Sequence, residues 1–481
     1  MDENTIFRPQ PSQTSPQPIT GAQGAPMSQP EVLINNPIVP PPPQVLPTSP
    51  PPSKFLKILK ILLGVAVFLS VIFLIFNFVL PKFFPSKINR VTLTYWGLWE
   101  DLSVYAPIIS DFEKEHQNIK INYSNQDIKE YRERLITRSN NGTGPDIFRF
   151  HNTWVPQLSE FLLPIPNSTI SKEDFDKNYY PVAKKDLIKN GAIYGIPLQI
   201  DTLNLYVNKD LFQASGLKPP TNWIEFETYS RQMTVKDENN NIKTAGAALG
   251  TSNNITHAPD IISMLFAQNG VNLEDISENI QATSDALNFY SSFAVSSGNV
   301  WDNTLDNSIR VFAGGGLAMY FGYSWDFFII KSINPNLSFD IHPVPSLPGQ
   351  NITVASYWAE GVNAKTKYQK EALLFLKYLT LKETEQRLFT EESKTRNFGE
   401  PYARVELAES LKNSVAYPFV ANAKLAVSSF FVDGTYDNGL NSQMNTYLNI
   451  AVDSILEGAS PQSAAETLSQ GVTQVLKQYG Q

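Results

Sequence analysis

The sequence predicts an α/β protein whose folded part divides into two lobes and follows one membrane-spanning helix. Three observations carry that expectation. Short strand-like and helix-like patterns alternate from residue 91 onward, the mark of α/β architecture. The chain has 481 residues, more than the roughly 250–300 that one hydrophobic core organises. A run without a single charge fills residues 61–80.

The alternation begins at 91–95, VTLTY, which is β-rich and alternates in polarity. Residues 104–116 then carry apolar side chains at 104, 105, 108, 109 and 112, one face of a helix. Residues 119–123 read as a second strand and 127–139 as a charged amphipathic helix. Gly142, Gly144 and Pro145 break that helix, and 146–150 reads as a third strand. Strand–helix–strand–helix–strand with short loops is a doubly wound lobe, whose ligands bind beyond the carboxyl ends of its strands.

The residues just beyond each strand are therefore informative. After the first come Trp96, Trp99, Glu100 and Asp101; after the second, Gln126; after the third, which ends at Phe150, come Asn152 and Trp154. Indole faces stack on the C–H faces of a sugar ring, while carboxylates and amides hydrogen-bond its hydroxyls. Taken singly, each tryptophan would be read as core or loop packing. Their convergence at one sheet edge points to a small-molecule cleft, with a carbohydrate as the expected solute.

The apolar run 61–80 has twenty residues, about 30 Å of helix, which matches the hydrocarbon core of a bilayer. A cleaved signal peptide would carry a shorter apolar stretch and a small-residue cleavage site; here PKFFP comes next, at 81–85. A retained helix in the lipid bilayer is expected, with flanks covering 54–82. Lysines lie near both ends (Lys54, Lys57 and Lys60; Lys82 and Lys87, with Arg90), so the positive-inside rule nearly ties. Residues 1–53 hold fifteen of the 34 prolines and only four charges, the composition of a disordered tail that favours extended polyproline segments.

Net charge is −8, and residues 1–85 carry five basic and three acidic side chains, which leaves the folded part at about −10. A nucleic-acid partner is excluded, because that binding needs a basic face. There is no cysteine, hence no disulfide, thiolate zinc site, cysteine nucleophile or lipidated cysteine. Histidines at 116, 151, 257 and 342 are too dispersed for a metal-ligand cluster, and no cofactor is expected. HExxH, GxSxG and P-loop patterns are missing. A glycosidase would need two carboxylates about 5–9 Å apart. Glu100, Asp101, Asp201 and Glu360 are available, but nothing in their spacing pairs them, so the expectation is a binder and not an enzyme.

Residues 194–212, YGIPLQIDTLNLYVNKDLF, resemble a signature of family 1 extracellular solute-binding proteins, the maltose-binding-protein-like sugar-binding components of ABC transporters. Five further segments fit the family's pattern: GTGPD at 142–146, TNWIEF at 221–226, FAGGGLAM at 312–319 with GYSW after it, PVPSLPG at 343–349, and 456–465. Asn222 interrupts the family's usual Thr-Trp pair. The resemblance covers about residues 90–478. It implies a two-lobed periplasmic-binding-protein-like (type II) fold with a hinge over 83–481. Lobe one would take about 88–199 and 344–380, and lobe two about 200–343 and 381–481. It also implies capture of a sugar or oligosaccharide between the lobes and delivery to ABC transporter permease subunits. The folded part would then lie on the extracellular face and the proline-rich tail in the cytoplasm. Trp325 would be the ring-stacking aromatic of the second lobe. Asp201, Asn254 (with Asn253 and His257 in the same loop), Trp358 and Glu360 would supply further contacts. Arg396 lies where the family often reads G-x-x-P-A, and this departure leaves its role open. A binding fold reused as a surface receptor or sensor is the alternative.

Overall fold

The computed structural model describes residues 54–75, 77, 90–295 and 298–481, in two compact units within 1–86 and 87–481. The predicted proline-rich tail, 1–53, and positions 76 and 78–80 of the predicted span lie outside the described residues.

The first unit contains the helix Lys54–Leu74. Its side chains from Ile58 to Ile75 are exposed at every position but Ile72. A helix in water hides an apolar stripe against a partner; no face of this one is covered within its unit. Ser70 Oγ donates to the Ala66 carbonyl at 2.8 Å, and Asn77 Nδ2 to the Phe73 carbonyl at 2.9 Å. The two polar side chains of the run are thus turned back onto the backbone. No helix among the described residues is long and apolar enough to cross a membrane. Lysines occupy the first two turns of this one, which leaves 61–74, about 21 Å at ~1.5 Å per residue.

The second unit is built on two five-stranded sheets. The first runs Ile119–Gln126, Val91–Leu98, Ile147–His151, Trp358–Val362, Ile196–Pro197. Its first three strands are parallel and Trp358–Val362 is antiparallel to both neighbours. The predicted strand–helix–strand–helix–strand is present, with helices Leu102–Glu115 and Tyr131–Asn140 as the crossovers. Alternation in Val91–Leu98 buries Leu93 and Tyr95, and the helical face predicted from periodicity buries Val104, Tyr105, Ile108, Ile109 and Phe112. The second sheet runs Phe339–His342, Asn204–Asn208, Leu317–Gly322, Ile242–Ala247, Val235–Lys236. The strands Ile147–His151, Asn204–Asn208 and Leu317–Gly322 are buried at every residue, as expected of strands covered on both faces.

Three stretches of chain pass between the sheets, and they are tied to one another. Thr353–Val354 pairs in parallel with Ala426–Val427. Leu203 N–H donates to the Val354 carbonyl and Ile200 N–H to that of Pro401, both at 2.9 Å. Helix Lys382–Glu392 packs on Leu102–Glu115 of the first lobe, burying Leu388.

Candidate functional site

A cavity of about 450 Å³ opens between the two sheets and is lined from both. The first lobe supplies Trp99, Glu100, Arg149, His151 and Trp358; the passages between lobes supply Gln199, Ile200, Asp201, Ser356 and Tyr357. Thr256, His257, Ile309, Trp325, Asp326 and Ile329 face them from the second, with Arg396, Glu400, Asp433, Gly434 and Tyr436 from later segments.

Local backbone explains how the first-lobe side chains arrive. At Gly97 a Cβ would collide with the Tyr123 ring, so only glycine lets that ring cross the strand end and donate from its hydroxyl to the Glu100 carbonyl at 2.6 Å. Trp99 then takes φ +65°, the left-handed region that is rare outside glycine and Asn/Asp. This turn leaves the indole 51 % exposed, edge-to-face with Trp358 at 4.9 Å and 73°. On the second lobe, Trp325 stands at the start of helix Ser324–Ile333. Its ring stacks on Tyr323 at 4.4 Å and 18°.

The polar groups are held in networks. Arg149 bridges Glu100 at 2.7 Å and Glu360 at 2.8 Å. Burial raises both carboxyls above their usual range, and the guanidinium opposes that rise. Burial pushes His151 down to about 3, so it is neutral between Thr153 Oγ1 (2.8 Å) and Ser356 Oγ (3.1 Å). Burial would likewise lower His257, but Asp326 at 2.8 Å and Asp433 at 3.5 Å hold it up to about 9. Asp201 Oδ2 accepts from Ser324 N–H at 2.9 Å. Its Oδ1 is buried with no hydrogen-bond partner among the described residues, and burial lifts this carboxyl well above the ordinary range. Among the described residues no cluster of three His, Asp or Glu side chains is placed to hold a metal ion.

Of the residues singled out from sequence, Trp99, Glu100, Asp201, Trp325 and Trp358 meet in this cavity. His257 and Arg396 line it too; the remaining ligand candidates do not, each for a visible reason. Trp96 lies on Tyr131 with Arg138 over its ring. Asp101 is the exposed residue that precedes helix Leu102–Glu115. Gln126 donates to Ser124 Oγ at 2.7 Å. Phe150 is fully buried in the core. Asn152 lines a smaller neighbouring cavity and donates to Asp186 at 2.8 Å. Asn254 spends its amide on Asp302, Leu305 and Trp301, shaping the loop. Glu360 faces Arg149 directly across the strand pair. Glu100 and Glu360 are therefore both committed to one guanidinium, not free as an acid–base couple.

Sequence reasoning missed Gln199, Asp326, Asp433 and Tyr436. A signal existed for two of them. Asp326 is the third helical residue, the position at which an acid caps the helix. Tyr436 sits in the glycine- and aspartate-rich VDGTYDNG turn, at φ +49°.

Residues 108–418 match the model of the bacterial extracellular solute-binding proteins. The chain belongs to that family. Its relatives include the multiple sugar-binding protein of Streptococcus mutans, 28 % identical over 344 residues, which are 66 % of this chain and 77 % of that protein. They also include an uncharacterized ABC transporter extracellular-binding protein of Pyrococcus horikoshii, 23 % identical over 55 % of this chain and 64 % of that protein. Among solved structures, a cyclo/maltodextrin-binding protein complexed with maltotetraose superposes with a TM-score of 0.66. It is 20 % identical and covers 82 % of this chain and 99 % of its own. That likeness establishes the two-lobed fold of a solute-binding protein. The family is one of solute-binding proteins.

Proposed function

We propose that this solute-binding protein captures a sugar or oligosaccharide between its lobes and passes it to the permease subunits of an ABC transporter. The observation that carries the reading is the cavity wall itself. Trp99 and Trp358 on one side and Trp325 on the other offer aromatic surface, while Asp201 holds a buried carboxyl oxygen without a hydrogen-bond partner among the described residues. Aromatic faces with a few placed polar groups suit a ring that is apolar on its faces and hydroxylated at its edge. The names of the relatives, a multiple sugar-binding protein and an ABC transporter extracellular-binding protein, agree with it. A solute touching both lobes at once favours the closed arrangement over an open one.

The chain is tethered through 61–80 in the lipid bilayer, tail inside and binding unit outside. Support comes from the uncovered apolar helix Lys54–Leu74 and from the absence of any cysteine for a lipid tether. The test is isothermal titration of the detergent-solubilised full chain with maltotetraose and a panel of mono- and oligosaccharides. Saturable heat and a raised melting temperature for one of them are expected. Silence across the panel would refute the sugar reading, and release of shortened sugars would refute the binder.

A further inference from the structure

Arg149 has no assigned role in sugar capture, yet its side chain makes four hydrogen bonds at the cavity wall. It is 2 % exposed and reaches both neighbouring strands. Nε donates to Glu360 Oε1 at 2.8 Å, Nη1 to Glu100 Oε2 at 2.7 Å and more weakly to the Leu98 carbonyl at 3.4 Å, and Nη2 to the Tyr105 hydroxyl at 2.7 Å. A guanidinium has five N–H donors, so these four bonds leave almost nothing for a solute. Burying one cation with two carboxylates is a costly way to fill a core, because well-packed apolar side chains often do as well.

The position of the two partners shows what the arrangement accomplishes. Glu100 directly follows Trp99, whose left-handed backbone needs something to hold it. Glu360 lies two residues after Trp358, on the same face of one strand. The indoles of those two tryptophans meet at 4.9 Å and 73°.

We propose that Arg149 is a positioning residue that staples the Trp99 turn to the Trp358 strand through Glu100 and Glu360. It fixes the two indoles as one aromatic wall, its donors spent on protein partners and not on the solute. This rests on the sugar reading only for its probe; the geometry of the wall is testable without any ligand.

The experiment uses the detergent-solubilised full chain with Arg149→Met, Trp99→Ala and the double variant, with Glu100→Gln as the milder cut if Arg149→Met does not fold. In the ligand-free protein, near-ultraviolet circular dichroism reports the Trp99–Trp358 pair. Arg149→Met or Glu100→Gln is expected to lose the same part of that signal as Trp99→Ala. Maltotetraose affinity should fall about tenfold in each single variant, the scale of one aromatic contact, and no further in the double variant. An unchanged dichroism spectrum, or losses that add in the double variant, overturns the proposal. If the unmutated protein ignores maltotetraose, the sugar reading loses that probe, while the dichroism comparison still decides the role of Arg149.

Discussion

Replacing Trp325 by alanine separates a ligand platform from a structural wall. One face of the indole is covered by Tyr323 at 4.4 Å, and the ring borders the cavity. A sugar lying on the free face would cover roughly 60–80 Å² of it, which at about 25 cal/mol per Å² contributes ~1.5–2 kcal/mol. Affinity should therefore fall about 10–30-fold. The fold loses the stack on Tyr323, ~0.5–1.5 kcal/mol, so the urea midpoint drops only modestly. Titration calorimetry with maltotetraose, alongside urea melts of the free proteins, measures both quantities. Trp325→Phe keeps an aromatic face and should recover more than half of the lost binding energy. Affinity within twofold of the unmutated protein in Trp325→Ala, with the midpoint lowered, would show that the ring is only a wall.

The free protein should lose stability as pH rises through the alkaline range. His257 is held up to about 9 by Asp326 and Asp433, against a burial that would lower it; its contribution is complete below the unfolded value near ~6.5 and fades as pH passes 9. Burial also pushes Asp260 up to about 7, which adds a decline between ~4 and 7 by the same sign. Urea midpoints from pH 5 to 10 should show both, and His257→Gln should flatten the upper part by on the order of 3 kcal/mol; an equal slope in the variant refutes the assignment. Asn254→Ala should cost ~2–3 kcal/mol of stability, since it strands buried partners, yet leave sugar affinity per folded molecule nearly unchanged. Trp96→Phe should leave that affinity unchanged as well, because its ring lies on Tyr131 and not in the cavity.

The parts of this molecule that were legible in the sequence are those set by local periodicity. The strand Val91–Leu98 and the helix Leu102–Glu115 appeared because alternation by two and by three to four is written in consecutive residues. The rule that ligands gather at strand ends picked out Trp99 and Glu100, which line the cavity, together with Trp96 and Gln126, which do not. A strand end fixes where the backbone stops, whereas side-chain direction there depends on one dihedral, the left-handed turn at Trp99. Asn254 illustrates a second limit. An amide in a loop reads as a ligand donor until its neighbours are known, and here Asp302, Leu305 and Trp301 saturate it. Glu360 reads as a hydroxyl acceptor in the sequence because its partner, Arg149, lies 211 positions away.

Partners distant in sequence also hold the cavity's aromatic walls. Asp201 lies on a passage between lobes, and its Oδ2 accepts from Ser324 N–H, at the start of the helix that bears Trp325. Arg149 joins Trp99 and Trp358 on the opposite wall. Each aromatic wall is thus tied to a buried carboxyl group whose partner comes from elsewhere in the chain, and on the proposed reading neither would need to be ordered at the moment of binding. A wall already in place spares roughly 0.5–1.5 kcal/mol of lost rotamer freedom per large side chain. The remaining Asp201 oxygen, buried and unpartnered among the described residues, works in the same direction. An orphan polar group costs about 1–3 kcal/mol; with burial lifting the Asp201 carboxyl well above its ordinary range, a hydroxyl entering the cavity, able to accept as well as donate, would relieve that cost, while a purely apolar guest would not. Aromatic faces alone suit many flat guests; an unpartnered carboxyl oxygen between them would favour those that bring a hydrogen-bonding hydroxyl.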